Sequence, residues 1–157
     1  MTDLLDLACS QLGVKMIRPL VPGGQKQVIV VNDGQGTERV MKLIDLGVAT
    51  DPAALERARR EVALLRDIEH PNVVHLSSDL VEISSPPAAV AWLEEYLDGQ
   101  DLRHCGSRWP FDQLLALARD VAAGTGQLHE RQVIHRDLSP GNVQRCASGR
   151  FVVMDPG

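Results

Sequence analysis

Aromatic residues are scarce in this chain: two Trp, two Phe and one Tyr make up 3% of 157 residues. A core must then be built from aliphatic side chains. The hydrophobic share of 44% is ample for one, which excludes a disordered chain. Positive charge is not in excess either. The 16 Lys and Arg stand against 21 Asp and Glu, giving a net charge of −5, which argues against a general nucleic-acid binder. Cysteines number three, and Cys9, Cys105 and Cys146 lie far apart without CxxC spacing. That disfavours a zinc site and suits reduced thiols in a cytoplasmic protein. No apolar run is long enough to span a membrane. In "MTDLLDLACS" (1–10) no basic segment precedes an apolar one, so a secretory signal is not expected, and the stretch reads as a short amphipathic helix. Repeats and low-complexity linkers are missing as well.

What is present is a patterned mixture of strands and helices. "QVIVV" (27–31) and "RVMKLI" (39–44) are β-rich runs joined by "NDGQGTE", whose Asn, Asp and Gly content predicts a hairpin. "VVHLSSDLVEI" and "AVAWLEEYL" suggest a second strand pair around the turn "SSPP" (84–87). Between the pairs lies a helix. Asp51 is a candidate cap, Pro52 suits the first helical position, and Leu55, Ala58, Val62 and Leu65 recur at helical spacing. Its end is expected near His70–Pro71, because a residue before proline avoids helical geometry. A longer helix is expected from Phe111 through "LLALARDVAAGTGQLHE". Gly124 and Gly126 each cost that helix roughly 1 kcal/mol, which points to close packing. A short strand "RFVVMD" follows, and the order of elements implies an α+β fold.

Charges then occur where apolar residues are expected. Lys42 sits within "VMKLI". One reading is a snorkelling side chain; the other is a partner in Glu61, which borders the apolar stripe of the first helix. Glu61 alternatively pairs with Arg57 or Arg60 on its own helix. "HRDLSPGN" (135–142) places His135, Arg136, Asp137 and Asn142 in one short loop, and Asp155 follows in "VVMDPG". Asp137 has the chemistry to accept a proton from an attacking hydroxyl. Asn142 and Asp155 offer oxygen ligands for a hard cation such as Mg²⁺. His129 and His135 read as a helix-end residue and a loop brace rather than as metal ligands. The "RARR" run (57–60) reads as a solvated helix face, and Trp92 and Trp109 as packing residues.

Taken in order, these motifs resemble a eukaryotic-type protein kinase domain, from about residue 16 to 157. The resemblance makes Lys42 the ATP-phosphate lysine and Glu61 its partner. It places Glu95 and the backbone near Leu97 at the adenine, and Asp101 at the ribose. "HRDLSPGN" becomes the catalytic loop with Asp137 positioning the acceptor hydroxyl. Asn142 and Asp155 then hold Mg²⁺, and "DPG" stands where such kinases have DFG. The glycine-rich loop corresponds to "VPGGQKQV" (21–28), in which Gly23 keeps a motif position, Val21 and Lys26 replace glycines, Gly24 adds flexibility and Val28 covers the adenine. Glu94 falls at the back of the adenine pocket, where an apolar residue or Thr is usual; a one-residue register shift is the alternative. Ser139 replaces a lysine typical of Ser/Thr kinases, and Pro156 replaces the DFG phenylalanine.

The resemblance thus implies an ATP- and Mg²⁺-dependent kinase acting on a protein, expected to be of Ser/Thr type, with no nucleic-acid partner. It divides the chain into an extension (1–15), a small lobe with its hinge (16–97) and the start of a larger lobe (98–157). Since the chain ends at Gly157, roughly the first half of a kinase domain is expected. The remainder would be missing or supplied by another chain, and the face formed by Leu114, Leu117, Ala118 and Val121 would lie partly bare. The alternative is a catalytically impaired, kinase-like module that binds nucleotide or a partner. A small-molecule phosphotransferase of related fold is disfavoured by Arg136, since those relatives usually carry a small residue there. Under the kinase reading, Lys42→Met is expected to abolish transfer and leave the fold largely intact.

Overall fold

The computed structural model describes residues 4–21, 26–47, 52–84, 86–106 and 108–156. Two compact units emerge, Met1–Arg66 with Leu76–Tyr96, and Asp67–His75 with Leu97–Gly157. Asp51, Gly23 and Gly24 lie outside the described residues.

In the first unit, α1 (Leu4–Leu12) precedes three strands, β1 (Lys15–Val21), β2 (Lys26–Asn32) and β3 (Glu38–Asp45). Helix α2 (Ala54–Arg66) follows, then β4 (Val81–Ile83) and β5 (Ala89–Glu95). The strands form one antiparallel sheet in the order β1-β2-β3-β5-β4. Edge strand β1 carries Pro19 and two register irregularities, both tolerable where no further strand must pair. Side-chain alternation separates two cores. Met41, Leu43, Ala89, Ala91 and Leu93 point to the face where Ala8 of α1 packs. Ile44, Val90 and Trp92 point to the other face, against Ala54, Ala58 and Val62 of α2. β5 is therefore buried on both sides, which explains the nearly unbroken apolar run in its sequence. Burial, helped by the charge of Asp6, pushes the Cys9 thiol on α1 upward, so it is a packing group rather than a nucleophile.

Two sequence expectations change here. Helix α2 starts at Ala54, with Pro52 in the preceding turn, and stops at Arg66 instead of near His70. The run beginning "VVHLSS" does not form a continuous strand; only residues 81–83 do. Both changes share one cause, because residues 67–75 belong to the second unit. There the Asn72 amide donates to the Phe151 carbonyl at 2.8 Å, and Val73 and Val74 align with Val153. Leu76 returns to the first unit through a bridge to Glu94.

The second unit adds β6 (Gly99–Asp101), α3 (Phe111–Glu130), a 3₁₀ turn at Pro140–Asn142, β7 (Val143–Cys146) and β8 (Phe151–Val153). Its sheet runs β6-β7-β8. Helix α3 packs on β8, and the Asp120 carboxylate, although buried, accepts the Phe151 N–H at 3.1 Å and bonds Arg119. Gly124 has the packing role expected of it. A Cβ there would collide with the Asn72 carbonyl oxygen and press on Val153, whereas a Cβ at Gly126 meets nothing within 4 Å among the described residues. Gly124→Ala should therefore destabilise the protein by about 3 kcal/mol. Gly126→Ala should instead stabilise it by about 0.5–1 kcal/mol through helix propensity. Denaturant unfolding of the two variants gives opposite signs on this account.

Leu114, Leu117, Ala118 and Val121 of α3, with Leu138 and Val143, line an open apolar groove of about 490 Å³. No helix among the described residues is long and apolar enough to cross a membrane.

Candidate active site

In the first unit the chemistry gathers around Lys42. Strand alternation puts Lys42 on the α2-facing side of β3, directly across from Val28 on β2 and from Trp92 on β5. The ammonium has only 4% of its residue surface exposed, so snorkelling is ruled out. Its Nζ lies 2.6 Å from Glu61 Oε1 and 2.6 Å from Glu94 Oε1. Glu61 projects from α2 one turn beyond Arg57, and its second oxygen is 4.0 Å from Lys26 Nζ. The Glu94 carboxylate is 3% exposed and accepts the Trp92 indole N–H at 2.9 Å. The indole ring also faces Lys42, with Nζ 5.6 Å from its centroid. Glu94 pairs with Val40 in the β3–β5 register, which puts it on the same sheet face as Lys42 and Trp92. The alternation of "AVAWLEE" carried that signal, since Trp92 and Glu94 are two residues apart.

These contacts revise the expected outcome of Lys42→Met. Removing a buried ammonium between two carboxylates strands both charges, so the fold does not escape the substitution.

Of the remaining candidates in this unit, Val28 is half-buried beside Lys42, and Glu95 ends β5 in register with Arg39. Val21 ends β1, paired with Val28. Tyr96 receives a hydrogen bond from Arg18 at 3.0 Å, a contact the sequence did not suggest.

In the second unit the "HRDLSPGN" loop is held from below by His135. This residue is 4% exposed, and its Nε2 lies 2.8 Å from the Met154 carbonyl. A carbonyl only accepts, so Nε2 carries the hydrogen; the buried Nδ1 has no partner among the described residues. Arg136 and Asp155 both adopt left-handed backbone, with φ of 62° and 53°. Such conformations cost about 1–3 kcal/mol each and persist where surrounding structure holds them, here the anchor between His135 and Met154. Asp137 is exposed, and the Asn142 amide donates to both its carbonyl (2.8 Å) and its carboxylate (3.0 Å). With its nitrogen committed to Asp137, Asn142 presents its side-chain oxygen elsewhere. The Met154 N–H bonds the Asn142 carbonyl at 2.9 Å, which brings Asp155 next to Asn142 in this unit. An amide oxygen and a carboxylate are hard donors of the kind Mg²⁺ prefers, so the chemistry of these two residues fits that ion. Pro156 is buried in place of the expected aromatic ring.

Asp101 closes the turn after β6. Its carboxylate accepts the Arg103 N–H at 2.9 Å and the His104 ring nitrogen at 2.9 Å. Burial is the largest single influence and raises its pKa, but the bonds from His104 and Arg103 together outweigh it and hold the group below its ordinary value. A depressed carboxylate stabilises the fold above its unfolded pKa of about 3.9, and that contribution disappears as pH falls through the lower folded value. The melting-temperature gap between the protein and Asp101→Asn should then be fully open at neutral pH and close below about pH 4. Thermal melts of both proteins across pH 2–7 measure it. The Leu97 carbonyl accepts a bond from the Gln144 amide at 3.3 Å.

Comparison with known proteins agrees with the order of these features. A family model described as the protein kinase domain matches residues 23–155. A probable serine/threonine-protein kinase of Streptomyces coelicolor is 29% identical over 142 residues, covering 86% of this chain and 21% of that protein. Serine/threonine-protein kinase 12 of Arabidopsis thaliana is 34% identical over 130 residues, 78% of this chain and 27% of its own length. The PknB serine/threonine-protein kinase of Mycobacterium leprae is 29% identical over 140 residues, 86% of this chain and 22% of that protein. The chain thus spans about a fifth to a quarter of the length of these relatives.

Proposed function

The chain belongs to the protein kinase domain family, and from that premise we propose that it serves ATP-dependent phosphoryl transfer to a Ser or Thr hydroxyl of a protein. The observation that carries the proposal is the buried Lys42–Glu61 ion pair at 2.6 Å. A lysine held this way presents a fixed positive charge to the α- and β-phosphates, and positioning with electrostatic stabilisation is most of what this reaction needs. Val28, Glu95, Leu97 and Asp101 are assigned to the nucleoside, with Val21, Gly23 and Gly24 in the phosphate loop. Asp137, exposed and steadied by Asn142, takes the proton of the acceptor hydroxyl. Asn142 and Asp155 are assigned to Mg²⁺, which when bound neutralises developing phosphate charge. Three cysteines outside any disulfide among the described residues suit a reducing, cytoplasmic setting.

A second reading is a kinase-like module that binds nucleotide without turnover. It is favoured by Glu94, which contacts the same ammonium that the phosphates need. Transfer from labelled ATP, measured beside Mg·ATP binding on the same preparation, separates the two. Binding without transfer, unchanged by Asp137→Asn, selects the second reading.

A further inference from the structure

One carboxylate is enough to hold a buried ammonium, yet Lys42 has two. Glu61 Oε1 and Glu94 Oε1 each stand 2.6 Å from its Nζ. The three groups together carry a net charge of −1, and the partly exposed Lys26 lies 4.0 Å from the far oxygen of Glu61. The two carboxylates are not equivalent. Glu61 is partly open, with 15% of its side chain exposed, while Glu94 has 4% exposed and is fixed in the sheet by the Trp92 indole N–H. An anion approaching Nζ therefore meets a fixed negative charge that neither moves aside easily nor is screened by water.

We propose that Glu94 sets nucleotide affinity by acting on Lys42. It is a positioning and affinity-determining residue that shares the ammonium with the phosphate chain and repels that chain, so Mg·ATP binds more weakly than the Lys42–Glu61 pair alone would allow. This rests on the assignment of Lys42 as the phosphate ligand. The effect is directed at phosphate and not at the nucleoside, because the charge contacts Nζ and the indole.

Glu94→Gln tests it. The amide keeps the volume, and its oxygen can still accept from Trp92 and Lys42, so mainly the charge is removed. Calorimetric titration of the purified protein and the variant with Mg·ATP, and separately with adenosine, is the measurement. The expected result is Mg·ATP binding tightened by about tenfold, with adenosine affinity unchanged within about twofold. Equal shifts for both ligands, or weaker Mg·ATP binding in the variant, overturn the proposal while leaving the kinase reading in place. If neither the protein nor the variant binds Mg·ATP, the kinase reading fails and takes this inference with it. Glu94→Met, similar in volume and uncharged, is the companion variant should the glutamine form not fold. Failure of both to fold overturns the proposal, since Glu94 would then be a structural counter-ion.

Discussion

Asp137→Asn should lower turnover by about 10²–10⁴-fold while Mg·ATP affinity changes by no more than about twofold. The reason is local. Asparagine fills the same space, and its side-chain oxygen can still accept the bond that Asn142 donates at 3.0 Å, so the loop geometry survives. The His135 anchor to Met154 is not touched by the change. Under the proposed role, what is lost is the basic oxygen that would accept the hydroxyl proton, an interaction that strengthens only as the transition state forms. Steady-state kinetics with ATP and a protein acceptor, alongside direct binding of Mg·ATP, supply the comparison. Equal losses in binding and turnover would assign Asp137 a structural role instead.

Lys42→Met should abolish detectable transfer, weaken Mg·ATP binding by about tenfold or more, and cost about 3 kcal/mol of stability. The stability term comes from Glu61 and Glu94, both of which lose their 2.6 Å partner. Glu61 keeps Lys26 within 4.0 Å, so the heavier penalty falls on Glu94. This leads to a further expectation for the double variant Lys42→Met/Glu94→Leu. It should regain much of the stability and none of the activity, because an apolar pair replaces a stranded charge. Denaturant unfolding and a transfer assay on both variants check the two parts independently. A single variant as stable as the parent would mean that Glu94 finds other compensation.

The catalytic-type loop was legible in the sequence because its parts are contiguous. His135, Asp137 and Asn142 fall within eight residues, and the Ser-Pro-Gly turn between them leaves the backbone few alternatives. Helix α3 was legible with both its ends, since a long periodic pattern averages over local exceptions. The strands themselves were legible from the β-rich runs "RVMKLI" and "AVAWLEEYL". Tertiary structure alone decided which charges meet. Lys42 and Glu61 are 19 residues apart, and they meet because α2 lies on the Ile44–Trp92 face. Glu94 joins them only because β3 and β5 pair Val40 with Glu94; a slip of one residue would have turned its carboxylate to the opposite face. The early stop of α2 was likewise out of reach of local rules. Residues 67–75 leave the helix for backbone partners near Phe151 and Val153, and those hydrogen bonds outweigh the propensity of the segment to continue helical. Propensity acts within a few residues, whereas burial of a charge or an amide is satisfied by whatever the fold brings to it.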